Sequence, residues 1–168
     1  MVLCSNAAVN STAVLTLGRH SPDWRFSKVS NITIQGEHLI GVNGIVIDDD
    51  TTDPGYAGRW IIENVTIANC HIGIYKPKGN IGNSYINCLL SGNQFGYYAK
   101  DFINGSEVIH AGCELFKGGH IESSKQAAIC IDVERFYGQL VVDGTVIEYN
   151  NGFGIYIRLK KQLTFTPI

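Results

Sequence analysis

GIYIR (154–158) shares one pattern with four earlier stretches: GIVID (44–48), GIYKP (73–77), GYYAK (96–100) and AICID (128–132). Each opens on Gly or Ala and continues as a short, alternating, β-branched or aromatic run, which is the local signature of a strand. Their first residues, at 44, 73, 96, 128 and 154, are separated by 29, 23, 32 and 26 positions. A second, shorter strand precedes each: NITIQG (31–36), NVTIAN (64–69), INCLLSGN (86–93), GGHIES (118–123) and GTVIEYN (144–150). From the anchors Ile34, Ile67, Leu90, Ile121 and Ile147 to the following Gly or Ala the steps are 10, 6, 6, 7 and 7, so only the first unit carries an insertion there.

Self-similarity at 20–30 residues built from strands with variable loops is the mark of a solenoid. Leucine-rich repeats need helix-length segments that this chain lacks, and propeller blades need about 40–50 residues. A parallel β-helix accommodates both the short strands and the uneven spacing, because insertions at coil corners leave the stacking at about 4.8 Å undisturbed. The expected fold is therefore an all-β, right-handed, single-stranded parallel β-helix of about five to six coils. It forms one domain over 1–168, with clear coils at about 13–158 and a strand-like exit at 159–168. AVLTLG (13–18) reads as part of the additional coil. With no capping element evident at either end, the chain reads as a segment of a longer spike.

Alternation assigns the faces. In the Gly-led strand the first and third residues after the glycine point inward (Ile45/Ile47, Ile129/Ile131, Ile155/Ile157) and the second points outward. That outward column runs Val46, Tyr75, Tyr98, Cys130, Tyr156, an external aromatic stripe. Asn69, Asn93 and Asn150 fall in the turn between the two strands, where Asn tolerates left-handed backbone and stacked amides hydrogen-bond from coil to coil.

Composition bounds the function. The chain has 168 residues, 45% apolar and 17% charged, with net charge −2. No broad basic surface exists to recruit nucleic acid; only RLKK (158–161) clusters. No apolar run reaches the roughly 18–20 residues of a membrane span, and the start lacks the basic n-region of a signal peptide. The five cysteines (Cys4, Cys70, Cys88, Cys113, Cys130) lack CxxC spacing, so packing is expected of them, not metal or disulfides. No Gly-rich phosphate loop or Cys/His metal cluster is present, so neither metal nor cofactor is expected. The loop DDDTTDPGYAGRW (48–60) lacks the spacing of a calcium loop with its glycine and closing glutamate, and reads instead as a groove wall that carries Trp60 and Tyr56.

SNITIQG, IANCHIGIY, GGHIES and VIEYNNGFGIYI resemble coils of the pectate-lyase-like right-handed parallel β-helix superfamily. They are most similar to the tailspike polysaccharide depolymerases of bacteriophages and prophages. The resemblance implies a homotrimer on a virion tail, or a prophage product released from the bacterial cytosol, that engages capsular or O-antigen polysaccharide. It also implies glycosidic cleavage, commonly by paired carboxylates and in some members by β-elimination. The carboxylates expected to act are Glu122 and Glu148, 26 positions apart. Both follow inward anchors, and the repeat stacks them on consecutive rungs of one outer face. The rung spacing of about 4.8 Å approaches the 5–5.5 Å between the carboxyl groups of retaining glycosidases. Their column reads Gln35, Ala68, Ser91, Glu122, Glu148, and His120 lies on the same face. His120, Trp60, Tyr75, Tyr98 and Tyr156 are the expected carbohydrate contacts, and Lys76, Lys100 and Arg158 are cations available to neutralise a uronate. Two other readings compete: a non-catalytic structural or adhesive module of a trimeric spike, and a pectate-lyase-like polysaccharide lyase.

Overall fold

The computed structural model describes residues 2–4, 12–18, 27–47, 59–77, 82–100, 113–133 and 138–159. Every regular element among them is a β-strand, and every pairing is parallel. Seventeen strands, numbered in chain order, form three sheets. Sheet A stacks β1 (Val2–Cys4), β4 (Thr33–Gln35), β7 (Thr66–Ala68), β10 (Leu89–Ser91), β13 (His120–Glu122) and β16 (Val146–Glu148). Sheet B stacks β2 (Thr12–Leu17), β5 (Val42–Ile47), β8 (Ile72–Lys76), β11 (Phe95–Lys100), β14 (Ala127–Val133) and β17 (Phe153–Leu159). Sheet C stacks β3 (Ser27–Ser30), β6 (Trp60–Glu63), β9 (Ser84–Ile86), β12 (Cys113–Lys117) and β15 (Gln139–Asp143).

The chain visits the sheets in the order A, B, C and repeats, which makes a parallel β-solenoid. Sheets A and B each stack six strands and sheet C five, so β1 to β15 pass through all three sheets in turn and β16 and β17 begin another. The acidic loop over 48–58 and the exit over 160–168 lie outside the described residues.

Sheet C is the part that sequence periodicity does not disclose. The corner from sheet C to sheet A is always two residues, and the connection from A to B is seven, six, three, three, four and four. The segments from B to C are 9, 12, 7, 12 and 5 residues long, so much of the irregularity of the repeat collects there and scrambles the spacing to the third strand.

The two-residue corner explains its own composition. Its first residue is Asn31, Asn64, Asn87, Gly118 or Gly144, each with φ between 49° and 65°. Asn and Gly are the residues that tolerate this left-handed backbone. Asn64 Nδ2 donates to Asn31 Oδ1 at 3.5 Å, the asparagine stacking expected from the sequence but on a different corner. Of Asn69, Asn93 and Asn150, only Asn69 is left-handed. Asn93 and Asn150 sit one residue further along and act as backbone pins. Asn93 Oδ1 accepts from Cys70 N at 2.8 Å while Nδ2 donates to Ile67 O at 3.1 Å. Asn150 Oδ1 accepts from Ser124 N at 2.8 Å and Nδ2 donates to Glu148 O at 2.9 Å. An amide has one acceptor and two donors, and here they reach backbone groups of the preceding coil, Cys70 N and Ile67 O for Asn93 and Ser124 N and Ile121 O for Asn150.

The inward residues of sheet B are buried as the alternation requires. Ile45, Ile47, Ile129 and Ile131 have no exposed surface, and they meet Ile34, Ile67 and Ile121 of sheet A in the lumen. Ile155 and Ile157 keep 45% and 49% exposure because β17 is the outermost described rung of its sheet. The Gly-led column is crowded by the rung below. A Cβ on Gly73 would lie 2.5 Å from Gly96 O, whereas one on Gly154 would find nothing nearer than 3.5 Å. Backbone oxygen cannot swing aside as a side chain does, so Gly73→Ala is expected to cost about 1–3 kcal/mol. Gly154→Ala is expected to be neutral, and urea midpoints of the two variants check the contrast.

Candidate functional site

Sheet A positions the two glutamates. Its outer column reads Gln35, Ala68, Ser91, Glu122 and Glu148 in direct register, so Glu122 and Glu148 are cross-rung neighbours. The intervening Ile121 is buried at 1% exposure and holds β13 in place, turning the flanking His120 and Glu122 outward. One ring nitrogen of His120 and one carboxylate oxygen from each of Glu122 and Glu148 all lie within 4.8 Å of one another. Ser91 Oγ donates to Glu122 Oε1 at 2.9 Å and so fixes one carboxylate. His120 Nδ1 stands 3.8 Å from Glu148 Oε1, an ion pair when the ring is protonated. Both glutamate carboxylates therefore have a neighbour that orients them, and about half of the His120 side chain remains open to solvent. Chemically, this is a partly exposed pair of carboxylates at a separation that suits an acid and a nucleophile. The same three groups have the spacing for a divalent cation, which sequence reading did not anticipate; exposed acidic groups commonly sit this way without one.

The tyrosines fall on a different face. Val46, Tyr75, Tyr98, Cys130 and Tyr156 align in register on the outside of sheet B. Tyr75 and Tyr98 stack with centroids 5.8 Å apart, Phe95 lies against Tyr98 at 4.9 Å, and Phe153 against Tyr156 at 5.0 Å. Asp132 closes one end of this stripe. It takes two hydrogen bonds from Arg158 (Nε to Oδ1 2.8 Å, Nη2 to Oδ2 2.5 Å) and one from Tyr98 Oη at 3.4 Å. Burial, and then the Asp132 charge, push the Tyr98 hydroxyl up to about 12, while hydrogen bonding to Asp132 raises Arg158 above its ordinary value. Trp60 belongs to neither group. It opens β6 on sheet C, donates from Nε1 to Gly18 O at 3.3 Å, and packs half-buried against the core.

Of the three cations expected near a uronate, Lys76 is not on the surface at all. It occupies the inward position of β8 that Ala99 takes on the next rung, has no exposed surface, and pairs with the equally buried Glu114 of β12. Tyr85 Oη donates to the other Glu114 oxygen at 2.8 Å, and Tyr97 and Phe116 close around the ion pair. Lys76 stands third after Gly73, the inward position of the alternation, and the expectation of a surface cation there set that alternation aside. Lys100 is exposed beside Asp132, and Arg158 is held by Asp132.

Cys70, Cys88 and Cys130 are buried and behave as small hydrophobes. Burial pushes the Cys70 thiol up to about 12 and the Cys88 and Cys130 thiols up to about 11. At pH 7.5 these three hold almost no thiolate, the reactive form. Among the described cysteines, exposed Cys113 is expected to react first with a maleimide, and mass spectrometry of the labelled peptides checks this.

The architecture defines the class: an all-β parallel β-solenoid, consistent with the pectate-lyase-like superfamily that the coil motifs resemble. Comparison with known proteins gives no matching family model, no matching curated protein and no matching solved structure.

Proposed function

We propose that this chain is a tailspike-like β-helix that binds a bacterial surface polysaccharide and hydrolyses it at Glu122 and Glu148. The observation that carries the reading is the stacking of these two carboxylates on adjacent rungs of one outer face, with Ser91 and His120 orienting them. A solenoid presents a long, straight, rigid surface, which matches an extended polymer better than a compact small molecule. On it, one carboxylic acid protonates the glycosidic oxygen while the other carboxylate attacks the anomeric carbon. Water then releases the glycosyl intermediate with the first group acting as base. In this reading the working form is a homotrimer, and capsular or O-antigen polysaccharide is the partner.

The close spacing predicts net retention of anomeric configuration. Proton NMR of the first product formed from a cleaved capsular polysaccharide reads this directly, and inversion contradicts the mechanism. Absorbance near 232 nm separates hydrolysis from elimination, because only elimination makes an unsaturated uronate. Burial of Lys76 removes one of the three cations that a lyase would use, which favours hydrolysis.

A further inference from the structure

The outer face of sheet B carries two columns of large side chains, and both drop to a small residue at the same rung. One column reads Ile72, Phe95, Ala127, Phe153 and the other Tyr75, Tyr98, Cys130, Tyr156. On β14 both positions are small, so a cleft of about 420 Å³ opens between Phe95 and Tyr98 on one side and Phe153 and Tyr156 on the other. Ala127 and Cys130 form its floor, and although both point outward they are only 2% and 4% exposed, shadowed by the aromatic walls. Asp132 and Arg158 stand at one end and Gln126 at the other.

We propose that this cleft is a glycan subsite that seats one pyranose ring, edge inward, between the two aromatic walls. The inference rests on the reading of the chain as a polysaccharide-binding protein but not on the glutamates of sheet A. The walls are two rungs apart, roughly 9.6 Å. A ring in van der Waals contact on both faces needs about 3.5–4.0 Å on each side, so the gap admits one ring and excludes two. The lining sorts ligands by chemistry. The walls and floor are apolar, and the two ends are polar. A pyranose has C–H groups on its faces and hydroxyls around its rim, so faces meet Tyr98 and Tyr156 while rim hydroxyls meet Asp132, Arg158 and Gln126. Asp132 is already fixed by Arg158 and Tyr98, so it accepts a hydroxyl without first losing side-chain freedom.

The test is saturation-transfer NMR with methyl pyranosides of gluco, galacto, manno, 6-deoxy and glucurono configuration. Cys130→Tyr completes the tyrosine column and fills the cleft without touching its walls. Phe153→Ala/Tyr156→Ala removes one wall on the outermost described rung, where packing is least affected. The native protein is expected to transfer saturation to the ring protons of at least one pyranoside, and each variant to reduce it at least fivefold. Absence of transfer to every pyranoside overturns the proposal, as does equal transfer in the native and Cys130→Tyr proteins. Binding of a planar aromatic probe such as methyl benzoate with all pyranosides silent also overturns it. Glu122→Gln/Glu148→Gln is expected to leave the transfer unchanged. Transfer without polymer cleavage therefore condemns only the hydrolytic reading, and cleavage without transfer condemns only the subsite.

Discussion

Lys76→Met is expected to destabilise the solenoid by about 3–5 kcal/mol, the usual cost of stranding one partner of a buried ion pair. Both Lys76 and Glu114 are fully buried, and they tie sheet B of one coil to sheet C of the next. Removing the lysine leaves a carboxylate in the lumen that still accepts from the Tyr85 hydroxyl. Glu114→Leu strands the ammonium group in the same way and costs a similar amount. The double variant Lys76→Met/Glu114→Leu removes both charges and is expected to be more stable than either single variant by about 2 kcal/mol or more. Replacement of a buried pair by apolar groups is often neutral. Some loss remains, because Tyr85 Oη then has lost its acceptor, at about 1–3 kcal/mol. Urea unfolding of the four proteins gives the coupling directly. Since total stability of a domain is only about 5–15 kcal/mol, single-variant losses of this size are easily measured. Single variants within about 0.5 kcal/mol of the native protein contradict the burial of this pair.

Much of this architecture is legible in the residues. The Gly-led strands specify sheet B, and the shorter strands specify sheet A with the correct register, down to the column Gln35, Ala68, Ser91, Glu122, Glu148. Period-two alternation survives there because the later corners joining A to B are short, three or four residues each. Sheet C escaped because segments of 5 to 12 residues separate it from sheet B, and strands such as SYI and CELFK share no glycine or anchor. Losing sheet C also hid Glu114, and with it the reason a lysine can point inward at position 76. A buried charge is readable only when its partner is known to face it.

The surface followed the same rule. The tyrosine column was predicted residue by residue, including the interruption at Cys130. The matching gap at Ala127 lies before the alanine that aligns with the glycines. At that point the strand departs from strict alternation, since Gly73 and Gly96 are skipped between paired positions. Two aligned small residues make a cleft, and one alone makes only a gap in a stripe.

Glu122→Gln and Glu148→Gln are each expected to slow polysaccharide cleavage by about 10²–10⁴-fold, the range that a positioned acid or base contributes. Glutamine keeps the shape of the side chain, and its carbonyl still accepts from Ser91 Oγ in the Glu122 variant. The loss should therefore fall on kcat with KM little changed, because the amide neither donates a proton as an acid nor attacks the anomeric carbon. Both positions are outward and partly exposed, so the free energy of urea unfolding should stay within about 0.5 kcal/mol of native. The most direct measurement is release of reducing ends from a panel of capsular and O-antigen polysaccharides, by the native protein and by Glu122→Gln/Glu148→Gln. The account predicts release from at least one polymer by the native protein and none above background by the variant. Equal release by both, or none by the native protein from any polymer, contradicts it.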